Sequence, residues 1–181
     1  VLSNGNFIES DFRFENKDKI NIKSLKTALE NEKDFEKIKS YFDDNQNSMI
    51  SLNHALVHDG IVLEIEDNYS FNKPLIIYNF FNKNVENKIL NNKVFISLGN
   101  KCSLTLVDFH KCENNIKYFN NTIHNYTIKK DAILKKFSIN ASIDSSYNYN
   151  SSKINSYSNS VFENFLLSLF PNFIKNEIHC N

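Results

Sequence analysis

Three stretches decide the fold: Leu-Glu-Ile-Glu-Asp-Asn-Tyr-Ser-Phe at residues 63–71, Ile-Ser-Leu-Gly-Asn-Lys-Cys-Ser-Leu at 96–104, and Tyr-Thr-Ile-Lys-Lys-Asp-Ala-Ile-Leu at 126–134. They superpose with offsets of 33 and then 30 residues. In each, two apolar residues two apart (Leu63 and Ile65, Ile96 and Leu98, Tyr126 and Ile128) precede a polar turn of three residues. A residue that can turn inward follows (Tyr69, Cys102, Ala132), and two places later stands a large apolar one (Phe71, Leu104, Leu134). Such alternation puts one face of each short strand inward, and a spacing of about 30 residues suits one turn of a β-solenoid. The pattern predicts a mainly β chain built as a parallel β-helix. Short alternating strands with polar turns also compose a meander or a jelly roll, which the pattern alone leaves open.

Upstream of these stretches the period changes. Residues 1–22 alternate around Ser3-Asn4-Gly5-Asn6 and read as a short hairpin or edge strands. Over residues 24–42, Leu25, Ala28, Leu29, Phe35, Ile38 and Phe42 recur at helical spacing; Ser24 is placed to cap the helix, and a break is expected near Asn31. Residues 43–47 read as a polar loop. Residues 49–57 read as a short helix ending at the turn pair Asp59-Gly60. Downstream, the Ser-, Asn- and Tyr-rich residues 142–160 fit either a long loop or polar solenoid strands with stacked Asn ladders. Residues 162–170 read as a buried strand or a short helix stopped by Pro171, and 173–180 as a strand running to the end. Residues 1–58 thus form a hairpin and helical region, and 59–181 the first coils of a β-helix. The chain opens with Val1 rather than Met and ends inside a strand; the expectation is a piece of a longer protein, or an edge that a partner covers.

Composition narrows the function classes. A chain of 181 residues suits one domain with a substantial core, and 41% hydrophobic with 23% charged residues is a folding composition. Lys plus Arg equals Asp plus Glu at 21 each, so no overall field favours nucleic acid or an anionic membrane. The longest apolar stretch, residues 165–170, is far short of a membrane span, and no basic-then-apolar leader opens the chain; a cytoplasmic protein is expected. Cys102, Cys112 and Cys180 are odd in number and irregular in spacing, which predicts free thiols rather than a disulfide framework.

Chemistry-bearing patterns are sparse. With only Gly5, Gly60 and Gly99, no loop can cradle phosphates on bare backbone amides, and no GxSxG elbow is present. Nucleotide hydrolysis is not expected. Cys102, His110 and Cys112 lie close enough in sequence to converge on zinc or iron, but Cys102 occupies the small inward place that Ala132 fills one coil later, which favours a core thiol. His54 and His58 share a helical face at i and i+4 without a third ligand or the Glu of HExxH, and read as surface histidines. His179 and Cys180 are strand neighbours and point to opposite faces. The pairs Asp43-Asp44 and Glu64/Glu66 read as solvated charge. Lys129-Lys130 and Lys135-Lys136 read as turn or strand-start charge balanced by Asp131. No catalytic, cofactor-binding or metal-ligating residue is assigned.

One stretch carries a family likeness. Leu52-Asn53-His54-Ala55-Leu56-Val57-His58-Asp59-Gly60-Ile61-Val62-Leu63-Glu64-Ile65, followed by Lys73-Pro74-Leu75, resembles the LN-x-A-x-x-x-D-G block and Pro-aliphatic strand of the SufD family. The runs Gly99-Asn100-Lys101-Cys102-Ser103-Leu104 and Lys130-Asp131-Ala132-Ile133-Leu134 resemble the family's repeated turns, and Lys175-Asn176-Glu177 its Arg-Asn-Asp segment. Ser3-Asn4-Gly5 and the helix start Ile22-Lys23-Ser24-Leu25 also fit. The SufB paralogue is less similar, carrying Ser-Gly-Gly where this chain has His58-Asp59-Gly60. Lys175 departs from the family's Arg, and Phe170-Pro171-Asn172-Phe173 replaces its glycines. The resemblance implies a right-handed parallel β-helix in the SUF system for iron–sulfur cluster assembly, a scaffold working with SufB-like and SufC-like proteins or with a second copy of itself. Any iron–sulfur cluster is then expected on the complex. The family's partner-binding residues lie beyond the matched blocks, so no site residue is transferred. The alternative from the residues themselves is a β-solenoid that binds or acts on carbohydrate.

Overall fold

The structure, a computed structural model, describes residues 1–42, 47–113, 116–141, 146–169 and 172–181. Most of the expected loop at 43–47 therefore lies outside the described residues, as do Asp43, Asp44, Phe170, Pro171 and the part of the Asn-rich stretch at 142–145. Strands β1 (Leu2–Ser3), β2 (Asn6–Phe7) and β3 (Ile20–Ser24) open the chain, followed by helices α1 (Leu25–Glu30), α2 (Glu32–Ile38) and α3 (Ser48–Leu56). Nine strands follow: β4 (Asp59–Ile65), β5 (Leu75–Phe81), β6 (Ile89–Leu98), β7 (Ser103–Cys112), β8 (Phe119–Ile128), β9 (Ile133–Asn140), β10 (Tyr147–Ser156), β11 (Val161–Ser168) and β12 (Phe173–Cys180).

These nine alternate between two sheets. One runs β11-β9-β7-β5-β1-β2 and the other β12-β10-β8-β6-β4-β3. Pairing is parallel from β4 and β5 onward, which excludes the meander and jelly roll and makes the molecule a β-solenoid of about four turns. The repeat read from sequence is the structural register: Leu63 pairs with Ile96, Ile96 with Tyr126, and Tyr126 with Ile154. A fourth copy, turning at Tyr157-Ser158-Asn159, was hidden because Ser156 and Ser160 stand where earlier coils place apolar or small residues.

The turns explain the stacking. Their third residues, Asn68, Lys101, Asp131 and Asn159, are all left-handed, at φ of 61°, 56°, 58° and 56°. Asn and Asp tolerate that conformation better than most residues, and three of the four are of those types. The amide of each of the first three donates to the carbonyl in the middle of the next turn: Asn68 to Asn100 (2.8 Å), Lys101 to Lys130 (2.9 Å) and Asp131 to Ser158 (3.0 Å). Apolar residues from both sheets fill the bore beside these turns, with Leu98, Leu106, Tyr126, Ile128, Leu134 and Ile154 all fully buried.

The N-terminal region is built into the solenoid. Residues β1 and β3 contribute pair with β5 and β4, and Ser24 caps α1 by accepting from the Thr27 amide (3.0 Å). Asn31 marks the break, capping α2 with its side chain (3.2 Å to the Asp34 amide). The helices cover the outer face of the second sheet, α1 against β3 and β4, α3 against β6 and β8. Asn53 on α3 is fully buried, and its amide donates to the carbonyls of Asn92 (3.0 Å) and Asn121 (2.8 Å), fastening the helix to two successive coils.

Two local expectations need correction. Asp59-Gly60 is no turn but the start of β4, where Gly60 has φ +155° and a Cβ would sit 1.8 Å from the Lys93 carbonyl oxygen. Residues 161–168 form a strand as one option allowed, yet not a buried one: Phe165, Leu166 and Leu167 are exposed, because β11 pairs on one side only among the described residues. Asn53→Leu keeps the branched shape of the fastening residue, with larger methyl groups in place of the amide O and N, and removes both donors. We expect it to destabilise the protein by about 2–3 kcal/mol in urea unfolding, since two buried carbonyls lose partners; a loss near zero would show that α3 is held by packing alone.

Candidate functional site

The bore is not apolar throughout. Along β7 the inward positions run Leu104, Leu106, Asp108, His110, and along β9 Leu134, Lys136, Ser138, Asn140. The second sheet mirrors this, with β8 presenting Ile128, Tyr126, His124 and β10 presenting Ile154, Ser152, Asn150. A polar layer thus crosses the bore. On one side lies the main apolar core, on the other a smaller cluster of Phe81, Val85, Leu90, Cys112, Ile116 and Tyr118.

Asp108 sits at its centre and is almost fully buried. Its Oδ1 accepts from Asn79 Nδ2 (2.9 Å) and faces His110 Nε2 at 3.0 Å; Oδ2 faces His124 Nε2 at 3.9 Å. With the His124 proton on Nε2, toward the carboxylate, Nδ1 accepts from the Tyr126 hydroxyl at 3.1 Å. The Lys136 ammonium, also buried, lies 5.4 Å over the Tyr126 ring. On the second sheet an Asn ladder continues the layer: Asn92 donates to Asn120 (3.1 Å), Asn120 to Asn148 (3.4 Å), and Asn148 to the Ser146 hydroxyl (2.9 Å). From Tyr147 to Ser156 the Asn-rich stretch is therefore strand and ladder rather than loop.

Burial works against every charge in this layer. Burial alone would raise the Asp108 carboxyl, yet the charge and hydrogen bond of His110, aided by Lys136, hold it well below the usual carboxylate range. Burial, reinforced by Lys136, pushes His124 well below its ordinary value and keeps the ring neutral. Burial and the Asp108 charge push the Tyr126 phenol well up, while burial lowers Lys136 against the pull of Asp108. A cavity of about 90 Å³ opens beside these groups, lined also by Ser138, Asn140, Asn150 and Ser152. The Oδ1 atoms of Asn140 and Asn150 have no hydrogen-bond partner there. A carboxylate, a neutral imidazole and a buried ammonium at the polar side of this small cavity, with the Tyr126 phenol behind His124, can orient water or a small hydrogen-bonding solute and hold a proton between fixed atoms.

Of the chemistry-bearing residues singled out in the sequence, His110 and Lys136 reach this layer. Cys102 lies in the main core, its thiol donating to the Glu66 carbonyl (2.9 Å) and pushed up by burial. Cys112 belongs to the smaller cluster, so the three residues do not converge. His54 is on α3 against Phe42, but His58 lies past the end of that helix with Nε2 3.3 Å from the Asn4 carbonyl oxygen, so the two share no helical face. His179 and Cys180 are adjacent on β12. Glu64 and Glu66 are ion-paired with Lys37 and Lys19 (2.7 Å each). Lys135 is exposed and pairs with Glu163 at 3.2 Å, whereas Lys136 is buried in the bore, which corrects the reading of the pair as strand-start charge balanced by Asp131. The signal that would have found the site is the repeat itself, which puts Asp108 and Lys136 in phase with core leucines. Among the described residues no three His, Cys, Asp or Glu form a metal-holding group, and no helix is long and apolar enough to cross a membrane. Neither a family model nor any curated protein matches the chain.

Two outcomes follow for the buried layer. Asp108→Ala strands Lys136 without its nearby anion and is expected to cost about 3–5 kcal/mol in urea unfolding, whereas Lys136→Met should cost far less; equal losses would show that the carboxylate does not serve the lysine. His124 has a depressed folded pKa, so its contribution is fully present above the unfolded value near 6.5 and falls as pH drops below it. His124→Gln should flatten the stability profile just below that pH, and an unchanged slope would contradict the assignment.

Proposed function

We propose that this chain is a SufD-like, non-enzymatic subunit of an iron–sulfur cluster assembly complex. It acts in the cytoplasm as a scaffold beside a SufB-like solenoid and a SufC-like ATPase. The observation that carries this reading is the place of its most family-like block, residues 52–65. That block holds the junction between helix and solenoid: Asn53 ties α3 to the coils of Asn92 and Asn121, and Gly60 lies against the Lys93 backbone. The order of hairpin, helices and stacked strands is also the order in which the likeness runs. Fold alone would not assign a function, since solenoids serve many. An iron–sulfur cluster is cargo of the complex in this reading, and no residue of this chain is assigned to hold it.

The carbohydrate reading rested on the Ser-, Asn- and Tyr-rich stretch. Its Asn148 and Asn150 line the bore and Tyr149 is buried against Ile50 of α3, while the exposed Tyr147 and Tyr157 lie at opposite ends of β10 rather than side by side. The test is an anaerobic pull-down of the full-length product, with co-purifying proteins identified by mass spectrometry and bound iron and sulfide measured. We expect an ABC-type ATPase and a β-helical paralogue. A folded protein recovered alone, without partner or iron, removes the assembly function and leaves the solenoid.

A further inference from the structure

On the outer face of the second sheet, α3 lies over β6 and β8, and beyond it the sheet continues as β10 and β12. At that step a second cavity opens, of about 330 Å³. Ile50 and His54 of α3 form one wall, Tyr41 of the helical turn Lys39–Phe42 forms another, and outward side chains of β8, β10 and β12 make the floor. Its volume falls within the roughly 300–1,000 Å³ of small-molecule sites. Tyr41 is held in place: its hydroxyl meets the Thr127 hydroxyl at 2.6 Å and accepts from Asn155 Nδ2 at 3.3 Å, and its ring tilts on Phe95 at 5.5 Å.

The floor carries one polar row in register across three strands, Asn125, Lys153 and His179. Asn125 is 4% exposed, and its Nδ2 has no hydrogen-bond partner. A buried donor left so is costly, and an acceptor brought by a ligand would satisfy it. The acid at this floor, Glu177, stands in the neighbouring row and is already engaged: Lys175 pairs with it at 2.7 Å, and the Asn47 amide and the Tyr149 hydroxyl donate to it. Lys175 answers that charge, so the row beside it presents an amide, an ammonium and an imidazole. Ile50, Ile123 and the Tyr41 ring add an apolar part to the lining. We propose that this cavity binds a small oxyanion, a carboxylate or phosphate carried on a compact apolar or aromatic body. Neighbouring strands lie about 4.8 Å apart, so the long Lys153 side chain, between the amide and the imidazole, brings all three donors to one anionic group. The body of the ligand lies against Tyr41, Ile50 and Ile123. Each strand supplies one donor, so the site exists only where three coils are stacked.

The test is titration of the 181-residue chain with benzoate, inorganic phosphate and benzamide, the last a neutral counterpart of benzoate, followed by the backbone amide chemical shifts of β8, β10 and β12. Saturable shifts with benzoate or phosphate are expected, and whichever binds tighter tells a carboxylate ligand from a phosphate one. Benzamide should bind roughly tenfold or more weakly than benzoate, and Lys153→Met and Asn125→Leu should each weaken the anion roughly tenfold. Circular dichroism and unfolding midpoints establish that each variant folds; His179→Gln, at an exposed strand position, weakens the anion without touching the packing. Lys135→Met, on the other sheet, should leave binding unchanged. Absence of a saturable shift with either anion overturns the proposal. So does benzamide binding as tightly as benzoate, or anion binding that survives Lys153→Met, Asn125→Leu and His179→Gln alike. None of these outcomes depends on whether SUF-type partners are recovered.

Discussion

Every coil must repeat in register on the one before it, and this constraint is imposed at one end of the strands. There, left-handed turn residues hand their amides to the next turn, and Leu63, Ile96, Tyr126 and Ile154 stack in a continuous apolar column. Side chains alternate with a period of two, so fixing the phase there fixes it along the whole strand. Downstream the chain has no freedom to choose which face is inner. On β7 the phase that buries Leu104 and Leu106 also buries Asp108, and turns Val107 and Phe109 outward. On β9 the phase that buries Leu134 buries Lys136 and turns Phe137 outward. The polar layer in the bore and the apolar rows outside are two results of one inversion of the hydrophobic pattern.

Such an inversion is energetically uphill unless each buried group is matched. A lone charge in the bore would neutralise or unfold the coil, so the layer is assembled as a set. Asn79 and His110 satisfy one oxygen of Asp108, His124 faces the other, and Tyr126 orients His124. The Asn ladder does the same for the opposite wall by giving each amide a partner one coil away. Polar groups placed this way also enforce register, because a slip by two residues would bring Asp108 among the leucines and a slip by one would turn Leu104 and Leu106 out of the bore. The arrangement gives the solenoid a rigid frame, with the outer face of one sheet occupied by its own helices.

The repeat was legible in the sequence because the turn chemistry and flanking apolar pairs are local. Offsets of 33 and 30 residues, the cap at Ser24, the break at Asn31 and the inward thiol of Cys102 all depend on neighbours within a few residues, and all stand in the structure. His58 and Gly60 were misread for the complementary reason. Where α3 stops and β4 starts depends on the Lys93 backbone one coil away, which no window around Asp59 contains.

The candidate site was legible only in part. His110 was noticed as a ligand type, but Asp108, His124, Tyr126 and Lys136 come from three different strands and meet only when the coils stack. Sequence by itself determined the short alternating strands, their period and the helices that precede them, because alternation and turn preference are properties of adjacent residues; the parallel stacking that makes them a solenoid was decided by the pairing. The facing of the second half of each strand was decided only in three dimensions. Stacking energy from the apolar column outweighs the local preference of Asp108 and Lys136 for water and of Phe109 and Phe137 for the core, and a preference that loses leaves no trace in the pattern that won.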